Sequence, residues 1–130
     1  MSIPKAAAHT DKAPQPFKDL YSQAVIAGGV VYCSGIVAID PETGSLIEGD
    51  VKAHTERILQ SLSSTLQAAG TSLDRAVKIN VYLANMEDFT SMNSVYEKYF
   101  VDGVKPCRTC VAVKSLPFGT DVEMECIAVL

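Results

Sequence analysis

The amino-acid sequence predicts a single α+β domain ordered β-β-α-β-α-β-β, with one mixed sheet and two helices on one face. Three observations lead there. Five segments are rich in β-branched residues or alternate apolar with polar, the period-two signature of strands. Two segments between them change to the 3.6-residue period of an amphipathic helix. The 130 residues suit one domain, which buries roughly two-thirds of its unfolded surface and needs no cross-links.

The elements follow in chain order. Residues 1–16, with Pro4, Pro14 and Pro16 among small and polar neighbours, read as a flexible arm ahead of a domain at 17–130. Residues 21–26 and 30–37 are apolar, β-prone runs around Ala27-Gly28-Gly29, the composition of a hairpin. Asp40-Pro41-Glu42-Thr43-Gly44 is a turn, since proline presets φ and glycine accepts positive φ. One helical face then collects Val51, Thr55, Ile58, Leu62, Leu66 and Ala69, widened by Leu59. Asp50 is placed to cap this helix and Gly70 to end it. Val77, Ile79, Val81 and Leu83 alternate with Lys78, Asn80 and Tyr82, a strand with one polar face. Asn85, with Asp88 three residues on, opens a second helix whose stripe is Phe89, Met92, Tyr96, Tyr99 and Phe100. Residues 107–113 and 122–129 are two closing strands joined through Leu116-Pro117-Phe118-Gly119.

Two helices on one face leave the other face of the sheet bare. Val30, Val31, Val111, Ala112, Val113 and Ile127 make several strands apolar on both sides, as if further subunits supply a missing layer. Composition agrees. Hydrophobic residues make up 48%, charged residues 20%, and mean hydropathy is +0.16, which excludes disorder. The 11 basic and 15 acidic residues give a net charge of −4, and no Lys/Arg cluster marks a nucleic-acid binder. No run approaches the roughly 20 apolar residues of a membrane-spanning helix, so no membrane partner is expected. Residues 1–17 contain neither an apolar signal core nor an arginine. A cytoplasmic location is the expectation, with no clear transit peptide to favour mitochondria.

Cys33, Cys107, Cys110 and Cys126 are expected as free thiols. Cys107 and Cys110 form a C-x-x-C, but three residues apart on a strand they point to opposite faces. With no second such pair and with His9 and His54 distant, no metal site is expected. His54, in the first turn of a helix, reads as a solvated residue. Arg108 and Cys110 share a strand face, and Glu123 and Glu125 share one on the next strand. An arginine in an apolar strand needs a partner. Two readings stand level: an ion pair with a glutamate across the strands, within the chain or at a subunit boundary, or a fork that grips a substrate carboxylate. A nearby glutamate orienting water would complete a hydrolytic site for a small carboxylate-bearing substrate.

An ordered set of motifs resembles a known family. Leu20-Tyr21-Ser22-Gln23-Ala24-Val25, Ser34-Gly35, Asp40-Pro41-Glu42-Thr43-Gly44 and Val81-Tyr82-Leu83 come first. Asn93-x-x-Tyr96, Arg108-Thr109-Cys110, Leu116-Pro117 and Val122-Glu123-Met124-Glu125 follow. From about Tyr21 onward the chain resembles the Rid family (RidA, or YjgF-type) of reactive intermediate imine deaminases. The resemblance implies a chorismate mutase-like fold assembled as a homotrimer, with an inner barrel of sheets and ligand clefts between subunits. It implies cofactor-free hydrolysis of 2-imino acids such as 2-iminobutanoate and 2-iminopropanoate, formed from enamines such as 2-aminoacrylate, to 2-keto acids and ammonia. By the same resemblance Arg108 grips the substrate carboxylate and Glu123 places or activates water. Tyr21, Ser34, Asn93 and Cys110 match pocket residues, Cys110 as a small wall rather than a nucleophile. Departures fall at Leu20, where proline often precedes the tyrosine, and at Ile36, where glutamine often follows Ser-Gly. Ala38 replaces a frequent proline and Cys107 a common alanine. The alternative is a non-catalytic trimer that binds small carboxylate metabolites in a regulatory, chaperone-like or translation-inhibitor role.

Overall fold

The computed structural model describes residues 4–130. Its strands are β1 Lys5–Ala8, β2 Ala24–Ala27, β3 Val30–Cys33, β4 Ala76–Leu83, β5 Cys107–Ala112 and β6 Val122–Val129. Its helices are α1 Val51–Ala68 and α2 Phe89–Tyr96. The strands form one mixed sheet in the order β1-β2-β3-β6-β4-β5, antiparallel except for the parallel pair β4–β5. Parallel neighbours need a crossover, and α2 provides it between β4 and β5. In the same way α1 carries the chain from β3 to β4, and the last strand fills the gap between them.

Local chemistry explains the boundaries. Gly28 and Gly29, at φ 58° and 77°, make the β2–β3 turn that matches the twist of its strands. The Asp50 side chain accepts from the Ala53 N–H at 3.1 Å, which starts α1. Ile58, Leu59, Leu62 and Leu66 of α1 are fully buried against β3 and β6, each contributing roughly 1.5–3 kcal/mol. Opposite them lie Val31, Ile79, Val81, Leu83, Val122, Met124, Cys126 and Ala128. Asn85 caps a 3₁₀ turn, Met86–Asp88, that leads into α2. Past α2 another such turn, Glu97–Tyr99, lets Phe100 pack 4.6 Å from Tyr96.

Three expectations are corrected. The arm is not loose throughout, because Lys5–Ala8 pairs with β2 as an edge strand. Its small side chains carry no alternation to announce it. The buried Gln23 amide then clasps the following residues, accepting from the Thr10 N–H at 2.8 Å and donating to the Pro14 carbonyl at 2.9 Å. The strands expected at 21–26 and 30–37 are shorter, and Ile36 makes its own isolated bridge to Met124. His54 is not solvated: it is 6% exposed and lies on the apolar stripe, three residues beyond Val51 and four before Ile58. Its Nε2 donates to the Ile47 carbonyl at 2.9 Å and its Nδ1 lies 2.7 Å from Asp121 Oδ1.

No element among the described residues covers the second face of the sheet. It carries Val30, Tyr32, Val111, Ile127 and Val129 beside Lys78, Asn80, Tyr82, Thr109, Glu123 and Glu125.

Candidate functional site

The residues singled out from the sequence gather in two places. Alternation along β5 puts Arg108 and Cys110 on the helix-covered face, beside Ile79 and Val81 of β4. There α2 presents Phe89, Asn93 and Tyr96, whose spacing of four and three places them on one helical face. Arg108 Nη1 donates to Asn93 Oδ1 at 2.6 Å, and the guanidinium carbon stands 4.8 Å from the Tyr96 ring centre and 5.5 Å from that of Phe89. Each ring face offers negative charge to the cation. Burial pushes the Cys110 thiol up, and the charge of Arg108 opposes this only in part.

Glu123 stands on the other face. β6 alternates Val122, Met124 and Cys126 inward with Glu123 and Glu125 outward. The Glu123 carboxylate lines a cleft of about 400 Å³ with Tyr21, Ser34, Gly35, Ile36 and Phe118. The Ser34 hydroxyl donates to the Ser22 carbonyl at 2.7 Å, so its proton is already engaged in holding the loop. Burial raises the Glu123 pKa above the ordinary carboxylate value, and the negative charge of Glu125 raises it further. Glu125 itself accepts from Asn80 Nδ2 at 3.2 Å and from the Tyr82 hydroxyl at 3.1 Å. No described hydrogen bond occupies Glu123, so of the two carboxylates it is the one available to a ligand or water.

Within one chain the cross-strand Arg108–glutamate ion pair is overturned. β4 lies between β5 and β6, and Arg108 faces the helices while Glu123 and Glu125 face away. Arg108, Asn93 and Cys110 form one group within the chain, and Glu123, Tyr21 and Ser34 the other. Sequence reasoning did not connect Phe89 and Tyr96 to Arg108, although their spacing about Asn93 carried that signal. It also gave no part in the site to Phe118, an exposed cleft-lining residue with a positive φ of 60°, or to the cleft-lining Phe17. Such left-handed backbone at a bulky residue is costly and concentrates where ligands are held. No three His, Cys, Asp or Glu side chains among the described residues converge as metal ligands, and no helix is long and apolar enough to cross a membrane.

Known proteins resemble this chain over nearly its whole length. Residues 10–130 match the sequence model of the family described as Endoribonuclease L-PSP. A RutC family protein of Pyrococcus abyssi is 44% identical over 119 residues, covering 92% of each chain. The chloroplastic Reactive Intermediate Deaminase A of Arabidopsis thaliana is 36% identical over 129 residues, 99% of this chain and 68% of the relative. The solved structure of E. coli TdcF with bound serine superposes with a TM-score of 0.90 at 32% identity, covering 96% of this chain and 98% of TdcF. A one-sheet, two-helix fold that superposes on these proteins, with the family's sequence model matched over residues 10–130, places the chain in the endoribonuclease L-PSP family, also called the YjgF/RidA or Rid family.

Proposed function

We propose that this protein is a cofactor-independent deaminase that hydrolyses reactive 2-imino acids, 2-iminobutanoate and 2-iminopropanoate among them, to 2-keto acids and ammonia. It acts as a homotrimer, with each cleft at a seam where Arg108 of one copy meets Glu123 of the next. The observation that carries this reading is the division of the site. A cation already clamped by α2 sits on the edge strand β5, and an unoccupied carboxylate lines a cleft on the opposite face. Within one chain they cannot share a small substrate. Among the described residues β5 pairs only with β4, so its outer edge and the bare sheet face are free for other copies.

The chemistry asks little of the protein. Arg108, oriented by Asn93, offers its remaining N–H donors to the substrate carboxylate. Glu123 accepts a proton from water as the oxygen adds to the imine carbon, and that proton passes to the imine nitrogen. The carbinolamine hydroxyl then gives its proton, relayed through Glu123, to the amino nitrogen as the C=O bond forms and the C–N bond breaks, releasing ammonia. The imine carbon is electrophilic already, so placement and charge complementarity supply the rate. The name of the Arabidopsis relative and the serine bound to TdcF, an amino acid with a carboxylate, support this reading. For the ribonuclease activity in the family description, a net charge of −4 offers the phosphate backbone little.

The test generates an imine in situ with an amino-acid oxidase or a dehydratase and follows 2-keto acid formation. Wild-type protein accelerates it and Arg108→Ala does not. Tight 2-keto acid binding in calorimetry with no acceleration would replace this reading with a carboxylate-binding trimer.

A further inference from the structure

Gly35 has no conformational reason to be glycine. Each of the other seven glycines has a positive φ; Gly35 does not, and its backbone suits any residue. What it lacks is room. A Cβ at Gly35 would stand 2.7 Å from Glu123 Oε1, 3.3 Å from Cδ and 3.6 Å from Cγ. The backbone on either side is pinned. The Ser34 N–H donates to the Gln23 carbonyl at 3.0 Å, and Ile36 and Met124 exchange two hydrogen bonds at 2.9 and 3.1 Å. The loop therefore cannot back away from β6, and the flexible end of Glu123 is the part that must yield.

We propose that Gly35 is a positioning residue for the hydrolysis inferred above: its missing side chain is the recess that seats the Glu123 carboxylate against the loop. Glu125 is aimed by hydrogen bonds from Asn80 and Tyr82. Glu123 has no such partner among the described residues and is aimed by shape. A methyl group at position 35 fills the recess and pushes the carboxylate off this seat, further into the open cleft.

The geometry stands without the deaminase reading, but its kinetic consequence rests on it, and the experiment separates the two. Gly35→Ala is compared with wild type for melting temperature, kcat, KM and the carboxyl ¹³C titration of Glu123, assigned by its loss in Glu123→Gln. The expected result is a Tm unchanged or raised, KM nearly unchanged because Arg108 still holds the carboxylate, and kcat lower by about 10²-fold, the usual cost of an ångström-scale misplacement. The Glu123 titration moves to lower pH as the carboxylate gains solvent. Wild-type kcat together with an unmoved titration would overturn the proposal. If wild-type protein shows no turnover, the deaminase reading fails, and the titration alone decides Gly35 by the same two outcomes. The double variant Gly35→Ala/Glu123→Ala is expected to melt with Glu123→Ala. A lower Tm there would overturn the proposal, because the methyl would then be striking something other than Glu123.

Discussion

The two faces of the sheet are built from alternate residues of the same strands, yet they differ in kind. On the helix side, Ile79, Val81, Leu83, Met124 and Ala128 are sealed from solvent, and the charge present there, Arg108, sits at the edge between Asn93 and two aromatic rings. On the open side, Tyr82 and Glu125 are half-buried in a polar network, Lys78 Nζ donates to the Thr109 hydroxyl at 2.9 Å, and Tyr32 and Val111 remain 48% and 41% exposed. The helix side is finished within one chain; the open side is not. A strand's two-residue period lets it place a cation in a finished layer and a carboxylate in an unfinished one. If both serve one substrate, the second copy of the chain becomes part of the chemistry.

The predictions test that contrast, beginning with the largest effect. Arg108→Ala lowers kcat/KM by about 10³-fold, since a charge-assisted, bidentate grip is lost, and Arg108→Lys recovers only a fraction of it. Mixing Arg108→Ala and Glu123→Gln chains by refolding then restores activity. Three-quarters of random trimers are mixed and each has one intact seam in three, so recovery approaches about one quarter of wild type. No recovery would mean that the two groups do not meet across a seam.

Next comes stability on the finished face. Leu62→Ala leaves a cavity and costs about 2–5 kcal/mol in denaturant unfolding. His54→Ala strands the Ile47 carbonyl and leaves Asp121 with the Thr120 hydroxyl and water, and costs about 1–3 kcal/mol in the same measurement. On the open face, Tyr82→Phe costs no more than about 1 kcal/mol, since Glu125 keeps Asn80 and water. A larger loss there would show that the face is as consolidated as its opposite.

The smallest effect is a displacement along the pH axis. In the proposed mechanism Glu123 acts as its carboxylate, so kcat/KM is expected to fall as pH drops through its pKa, which burial and then Glu125 raise. Glu125→Gln removes the like charge and moves the acid limb to lower pH, leaving the part due to burial. An acid limb that stayed in place would assign it to another group.

Much of the fold was legible from residue order. Asp50, Gly70, the Gly28-Gly29 turn and the stripe from Val51 to Leu66 act within a few residues of themselves, so their spacing in the chain is their spacing in space. What escaped the sequence was action at a distance: β1, which has no side-chain alternation, and His54, whose partners are Asp121 and the Ile47 carbonyl. The two halves of the site were legible as chemistry but not as geography. Arg108 and the pair Glu123 and Glu125 stood out as charges in apolar strands, yet nothing local said that β4 would slip between their strands.

By itself the sequence determined most of the elements, the apolar excess and the presence of an arginine and two glutamates in otherwise apolar strands. All of these follow from short-range periodicity and composition. Only the tertiary structure decided that Arg108 is clamped by α2, that Glu123 rather than Glu125 is unoccupied, and that the two lie on opposite faces. Strand order depends on pairings between segments tens of residues apart, whose hydrogen bonds are backbone and therefore alike for every sequence.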